Sequence, residues 1–188
     1  MTAPLIVGIS GATGAVYGIE MLRVLNKLGL PAHLIISEMG LRTIDIETNC
    51  RLDEVRGLAE KTYNNKDLAA AVSSGSYRTG GMVIAPCSIK TLSGIAHSFS
   101  YNLMIRAADV TLKEKRPLVL MVRETPLHKG HLELMAKVAD LGAVIYPPMP
   151  AFYNKPQTIN DIVHQSIARA LDHLGIEHDL IERWGGAG

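Results

Sequence analysis

Short apolar runs alternate with amphipathic stretches along most of the chain. The runs Leu5–Ile9, His33–Ile36, Met82–Ala85, Leu118–Val122 and Ala143–Tyr146 are rich in Ile, Val and Leu. They do not alternate strictly between apolar and polar, as expected of parallel strands covered on both faces. Helical spacing predicts helices over Val16–Leu28, Leu52–Lys61, Thr91–Ala96, Leu103–Lys115 and His131–Leu141. A last helix, Ile159–Leu174, follows Thr158, which is placed to cap it with Asp161 at the third helical position. Strand and helix in alternation predict a single α/β domain with a doubly wound, mainly parallel, Rossmann-like sheet.

Two segments break the alternation. Thr62–Gly81 is polar and reads as loop with a short helix near Lys66–Val72. Tyr146-Pro147-Pro148-Met149-Pro150 cannot be helix and is expected to cross a sheet edge or a subunit interface. No internal repeat is visible, and no linker is rich enough to split the chain.

The chemistry concentrates where strands end. After the first run comes Ser10-Gly11-Ala12-Thr13-Gly14-Ala15, a turn of small residues opening a helix. Such a turn brings backbone N–H groups to a helix N-terminus, where the dipole favours an anion, so a nucleotide or flavin phosphate is expected at residues 8–15. Gly8, Gly11 and Gly14 recur every third residue, which is not the dinucleotide spacing G-x-G-x-x-G. No G-x-x-x-x-G-K-[ST] is present either. Small residues there could also serve only close packing of helix on sheet. Ser37 follows the second run, Pro86-Cys87-Ser88-Ile89-Lys90-Thr91 the third, and Arg123-Glu124 the fourth. In a doubly wound sheet ligands bind beyond the carboxyl ends of the strands. Ser37 or Ser88 alone would read as a helix cap; together these positions favour one phosphate-bearing cofactor.

Composition narrows the classes. The 188 residues are 47% hydrophobic with a net charge of +1, enough for a sizeable core and without a strongly basic nucleic-acid surface. No apolar stretch approaches the roughly 20 residues that span a bilayer, and no signal peptide is expected, so the chain is expected in the cytoplasm. Cys50 and Cys87 lie far apart and are expected as free thiols. His128 and His131 are close together without a carboxylate or cysteine cluster, and no metal site is expected.

These residues resemble the UbiX-type flavin prenyltransferases. The resemblance is carried by Gly11-Ala12-Thr13-Gly14-Ala15, Pro86-Cys87-Ser88 with Thr91-Leu92, Arg106-Ala107-Ala108-Asp109-Val110, Val122-Arg123-Glu124-Thr125-Pro126-Leu127, Pro148-Met149-Pro150-Ala151-Phe152-Tyr153 and Arg183-Trp184. It runs from about Leu5 to Trp184 and is similar to the branch found beside hydroxyarylic (phenolic) acid decarboxylases. It implies a flavodoxin-like flavoprotein with one FMN-binding domain over residues 1–188. It also implies transfer of a dimethylallyl group from dimethylallyl phosphate to N5 and C6 of reduced FMN, without a metal. The product, prenylated FMN, would serve a UbiD-type decarboxylase. The family commonly assembles as dodecamers with sites between subunits.

By the same resemblance Gly11, Ala12, Thr13, Ser37, Ser88, Ile89, Lys90, Thr91 and Arg123 hold FMN. Arg106, Lys113, Tyr153 and Arg169 bind the prenyl phosphate, whose charge protein cations must balance. Glu47 and Glu124 match active-site glutamates able to place a proton or to stabilise developing positive charge. Trp184 and Tyr17 are candidates to shield the prenyl group. On residue type alone, Glu47 reads as a solvated charge, Arg106 and Lys113 as surface cations, Tyr153 as packing and Trp184 as a docking anchor. Thr13 stands where the family often has Ser, and His128 and Lys129 stand where smaller residues are more frequent.

Two other functions compete. A flavin-dependent cysteine decarboxylase shares this fold, but its Pro-Ala-Ser-Ala-Asn-Thr and Pro-x-Met-Asn segments are replaced here by Pro86-Cys87-Ser88-Ile89-Lys90-Thr91 and by Met149-Pro150-Ala151. A non-catalytic FMN carrier subunit would not need Glu47, Lys113, Glu124, Tyr153 and Arg169 together.

Overall fold

The run Leu5–Ile9 forms strand β1, and every one of its residues is buried. It lies near the middle of one sheet with β2 (Ala32–Ile36), β3 (Lys61–Asn64), β4 (Gly81–Cys87), β5 (Leu118–Val122) and β6 (Val144–Ile145). The order is β3-β2-β1-β4-β5-β6 and every pairing is parallel. Leu5–Ile9 pairs residue for residue with Ala32–Ile36 on one side, and Leu5–Gly8 with Gly81–Ile84 on the other. The winding reverses between β1 and β4, so the loops that follow these strands part and leave a crevice at their carboxyl ends. The computed structural model describes residues 2–186.

Among the described residues seven helices accompany the sheet: α1 (Ala15–Lys27), α2 (Glu38–Glu47), α3 (Leu52–Gly57), α4 (Ile89–Ala96), α5 (Leu103–Lys113), α6 (Lys129–Asp140) and α7 (Ile159–His173). Side chains alternate across a strand, and β1 divides accordingly. Leu5, Val7 and Ile9 pack with Ile19, Leu22 and Leu25 of α1 and with Ile167 and Leu171 of α7. Ile6 packs on the opposite face with Leu92 of α4, Ile105 and Ala108 of α5 and Val138 of α6. Thus α1 and α7 cover one face, and α4, α5 and α6 the other.

At Gly18 the backbone of α1 comes against the sheet. A Cβ there would lie 2.3 Å from the Ala85 carbonyl oxygen and 2.6 Å from Ile9 Cγ1. Alanine in a helix interior normally gains over glycine, but here backbone would have to move. Gly18→Ala is expected to destabilise the fold by about 1–3 kcal/mol, read as a lowered urea midpoint with unchanged slope.

The expected α/β class stands, with local corrections. The helix expected over Leu52–Lys61 ends at Gly57, and Lys61–Asn64 is an edge strand. Only Tyr63 of that strand is buried, so it carries no apolar run to announce it. The expected helix near Lys66–Val72 is absent: the segment turns through Asn64 and Asp67 side-chain caps and ends in a 3-10 turn at Ala71–Ser73. α4 and α6 each begin two residues earlier than expected, because Ser88 and His128 supply the caps. α2 was not among the expected helices; it buries just Gly40 and Ile44, too little to give an apolar stripe. Thr158 and Asp161 form the expected capping box on α7.

Candidate active site

Ser10 ties the two sides of the crevice together. Its buried hydroxyl donates to the Pro86 carbonyl (2.8 Å) and accepts from the Ser88 N–H (2.8 Å). Nothing in the sequence marked Ser10 as more than one small residue in a turn; the pairing of β1 with β4 gives it two partners. Ser10→Ala leaves the Ser88 N–H without its acceptor, while the Pro86 carbonyl keeps the Ser10 N–H (3.2 Å); the change is expected to cost about 1–3 kcal/mol of stability, measurable by thermal or denaturant unfolding.

Ser88 in turn caps α4. Its Oγ accepts from the Thr91 N–H (3.3 Å) and donates to Thr91 Oγ1 (3.1 Å). The N–H groups of Ile89 and Lys90, in the first turn, have no acceptor within the helix. Ser37 caps α2 in the same way, accepting from the Gly40 N–H (3.0 Å). Between the two caps opens a cavity of about 840 Å³. Of the expected cofactor residues, Gly11, Ser37, Ser88, Lys90 and Thr91 line it; Ala12, Thr13, Ile89 and Arg123 do not. Arg56, Asn64, Lys66, Tyr101 and Asn102 line it as well, though the sequence singled out none of them. Arg56 comes from α3, Asn64 and Lys66 from the end of β3 and the loop after it, and Tyr101 and Asn102 from the loop before α5, segments that only the tertiary fold brings together. Lys66, Lys90 and Arg56 face a single acid, Glu38, so the wall is net positive.

On the α1 side of the turn the arrangement corrects the expectation of free amides. Glu47, at the end of α2, sends Oε2 to accept from the Gly14 N–H (2.8 Å) and the Ala15 N–H (3.1 Å). The anion at this helix start is the protein's own carboxylate. A residue more than thirty positions downstream fills the place, and the local motif could not reveal that. Partial burial opposes the Glu47 charge, but hydrogen bonds from Thr13, Gly14 and Ala15 and the nearby Arg123 outweigh it, and its carboxyl is held below the ordinary range.

Arg123 sits at the end of β5, its N–H donating to the Cys87 carbonyl (2.9 Å). Its charge reaches Glu47 and also Tyr17, whose hydroxyl burial pushes up in pKa while Ser166 and Arg123 pull it back. Glu124 is exposed and accepts from the Thr125 N–H (3.0 Å). Tyr146, which the sequence offered only as a strand end, lies within electrostatic reach of Arg169, Tyr17, Asp172 and Tyr153; burial raises its pKa. A second cavity, of about 650 Å³, opens next to this group and is lined by Tyr153, Arg169, Ile181, Arg183 and Trp184. Trp184 meets Tyr153 edge-on at 5.6 Å between ring centroids.

The expected phosphate set is split. Tyr153 and Arg169 stand at this second cavity, on the α7 side. Arg106 and Lys113 belong to α5 on the other face of the sheet. Arg106 Nε donates to the Ser73 carbonyl (3.2 Å) and Nη1 to Asp109 (3.2 Å), while Lys113 pairs with Glu114. Within one chain the four do not converge.

The remaining candidates are inert or separate. Burial pushes the Cys87 thiol up to about 12, which removes it as a nucleophile at neutral pH. Cys50 is also a free thiol. The rings of His128 and His131 lie 3.6 Å apart between centroids, tilted by 35°, and among the described residues no group of three or more His, Cys, Asp or Glu is placed to hold a metal.

A doubly wound sheet with a cationic, hydroxyl-lined crevice at its switch point defines an α/β nucleotide- or flavin-binding protein. The chain matches the Flavoprotein family over residues 2–171. It is 56% identical over 186 residues to flavin prenyltransferase UbiX of Salmonella typhimurium, covering 97% of this chain and 98% of that protein. It is 51% identical over 182 residues to flavin prenyltransferase UbiX of Thauera aromatica, covering 97% and 94%. The crystal structure of AnUbiX in complex with FMN and dimethylallyl pyrophosphate matches with a TM-score of 0.98 at 45% identity over all of both chains. A dodecameric FMN-dependent UbiX-like decarboxylase from Escherichia coli O157:H7 gives 0.94 at 48% identity, over 97% and 100% of the two chains. The peptidyl-cysteine decarboxylase EpiD, at 12% identity and a TM-score of 0.64, shares the fold alone. This chain belongs to the UbiX flavin prenyltransferases, a family of transferases.

Proposed function

We propose that the crevice of about 840 Å³ binds reduced FMN and that the chain transfers a dimethylallyl group to it from dimethylallyl phosphate. The observation that carries this reading is the juxtaposition, across Ser10, of a cationic hydroxyl-lined crevice with the Glu47–Arg123 pair. The crevice fits the ligand: Ser88, Thr91 and the first N–H groups of α4 suit a phosphate. Ser37, Asn64 and Asn102 suit a ribityl chain, and Met39 and Tyr63 suit a flat ring system. Gly11 and Lys90 line it too; Ala12, Thr13, Ile89 and Arg123, which do not line it, belong to the proposed FMN set by the family resemblance, and residues 1–188 act as one FMN-binding domain. Reduced FMN supplies nucleophilic N5 and C6.

The chain's own residues handle charge and protons. Arg169 and Tyr153 take the donor's phosphate, and Trp184 with Tyr17 covers its apolar tail. Glu47 keeps a fixed negative charge where positive charge develops on the prenyl group. Glu124, exposed just after β5, is the proposed second carboxylate.

Because α5 and α7 cover opposite faces, Arg106 and Lys113 reach a prenyl phosphate only on a neighbouring copy. The reading therefore includes a homo-oligomer with sites between copies, the dodecamer of the E. coli relative being its model. The product, prenylated FMN, would pass to a UbiD-type decarboxylase. Two free thiols suit the reducing cytoplasm, and no described helix is long and apolar enough to cross a membrane.

The test is anaerobic incubation with reduced FMN and dimethylallyl phosphate, followed by mass spectrometry of the released flavin. A gain of one C5H8 unit is the expected result; bound, unmodified FMN beside intact donor would overturn the reading.

A further inference from the structure

The second cavity holds two arginines, and one carboxylate arranges both. Asp172, on α7, accepts from Arg169 Nη1 at Oδ2 (2.6 Å). Arg183 grips the same carboxylate as a fork, Nη1 to Oδ2 (3.1 Å) and Nη2 to Oδ1 (2.8 Å). His178 lies beneath with its side chain fully buried. Its Nδ1 accepts from the Leu180 N–H (3.3 Å), which leaves the proton on Nε2, shared between the Ala168 carbonyl (2.8 Å) and Asp172 (3.1 Å). Among the described residues, Asp172 is the one acid touching the two guanidiniums.

The count of charges and donors decides what this cluster suits. Arg183 hydrogen bonds hold the Asp172 carboxyl down at about 2 against partial burial, with Arg169 and His178 adding to the effect, so it is ionised throughout the working range. One negative charge against two positive leaves a net +1. Each guanidinium carries five N–H donors. Arg169 gives one to Asp172 and Arg183 two, so both keep unspent donors. Both side chains are about half exposed, at 44% and 56%, whereas Asp172 is only 18% exposed. Both arginines line the same cavity as Tyr153.

Resting on the reading of this cavity as the donor's site, we propose that Arg183 is a second phosphate-binding residue and that Asp172 is the positioning residue that aims Arg169 and Arg183 together at the prenyl phosphate. The Asp172–Arg183 fork also docks the segment carrying Ile181 and Trp184, so the wall around the prenyl group depends on the same carboxylate.

Trp184 is the chain's single tryptophan and stands beside Arg183, so its fluorescence reports on the site without any turnover. Inorganic phosphate titrated into the purified full chain is expected to change that fluorescence saturably. Arg183→Ala and Asp172→Asn are each expected to weaken phosphate binding about tenfold or more and to raise the donor KM by a similar factor, with FMN affinity unchanged. Arg183→Lys keeps the charge and loses the fork, and Asp172→Glu keeps the acceptor; both are expected to fall between. No saturable response in the wild type, or wild-type phosphate affinity and donor KM in folded Arg183→Ala, would overturn the proposal. A wild type that binds phosphate but does not prenylate FMN would instead defeat the proposed function and leave the paired-arginine site standing.

Discussion

Glu47→Gln is expected to retain FMN in the crevice and to lose prenylation by about 10²–10⁴-fold, the range found when a positioned acid, base or preorganised charge is removed. The substitution is gentle to the fold. The amide oxygen of Gln can still accept from the Gly14 and Ala15 N–H groups, so the start of α1 keeps its cap. What disappears is the negative charge beside Arg123. The measurement is FMN affinity by fluorescence together with single-turnover prenylation. Tight FMN with full turnover would remove Glu47 from the chemistry, and lost FMN would make it a binding residue. The pH profile gives a second check. A carboxyl depressed in the folded state contributes above its unfolded pKa and stops contributing as pH falls through its folded pKa. Wild-type activity is therefore expected to persist into mildly acidic solution before Glu47 protonates.

The second large effect is complementation between defective copies. Arg169→Ala removes a cation from the second cavity, and Lys113→Ala removes one from α5 on the opposite sheet face. Each pure variant is expected to lose donor affinity far more than FMN affinity. In a mixture denatured and reassembled together, a site using Lys113 from one copy and Arg169 from the next would be intact about a quarter of the time by random closure of the interface. Recovery toward that level is the expected result. No recovery, with oligomers shown to have mixed, would mean that the two residues serve one chain's site after all, or that α5 does not reach the donor.

The split of that phosphate set shows where one-dimensional reading stops. Arg106 and Lys113 are seven apart on one helix, and Arg169 lies 56 residues beyond Lys113; nothing in their spacing says that sheet topology sends them to opposite faces. The same holds for Glu47, whose place at the start of α1 depends on α2 folding back across the end of β1. Ser10 and Asp172 were invisible for a related reason. A serine in a small-residue turn and an aspartate near a helix end are common, and each gains meaning only from partners brought by long-range packing.

The helices and strands that were legible are those with strong local causes. The buried Ile/Val/Leu runs, the apolar stripe of α1 and the Thr158–Asp161 capping box each specify their own structure through burial periodicity and hydrogen bonds a few residues apart. β3 was not legible, because Lys61–Asn64 buries one side chain and becomes a strand only by pairing with His33–Ile36.

By itself, then, the sequence determined the α/β class, the turns that open on the strand ends, the hydroxyl caps Ser37 and Ser88, and the resemblance on which the candidate residues rest. Tertiary structure alone decided which amides are free. Glu47 fills the start of α1, while no helical acceptor satisfies the first N–H groups of α4. It also decided which cations share a site, because charge acts through distance in space and the order β3-β2-β1-β4-β5-β6 sets those distances independently of separation along the chain.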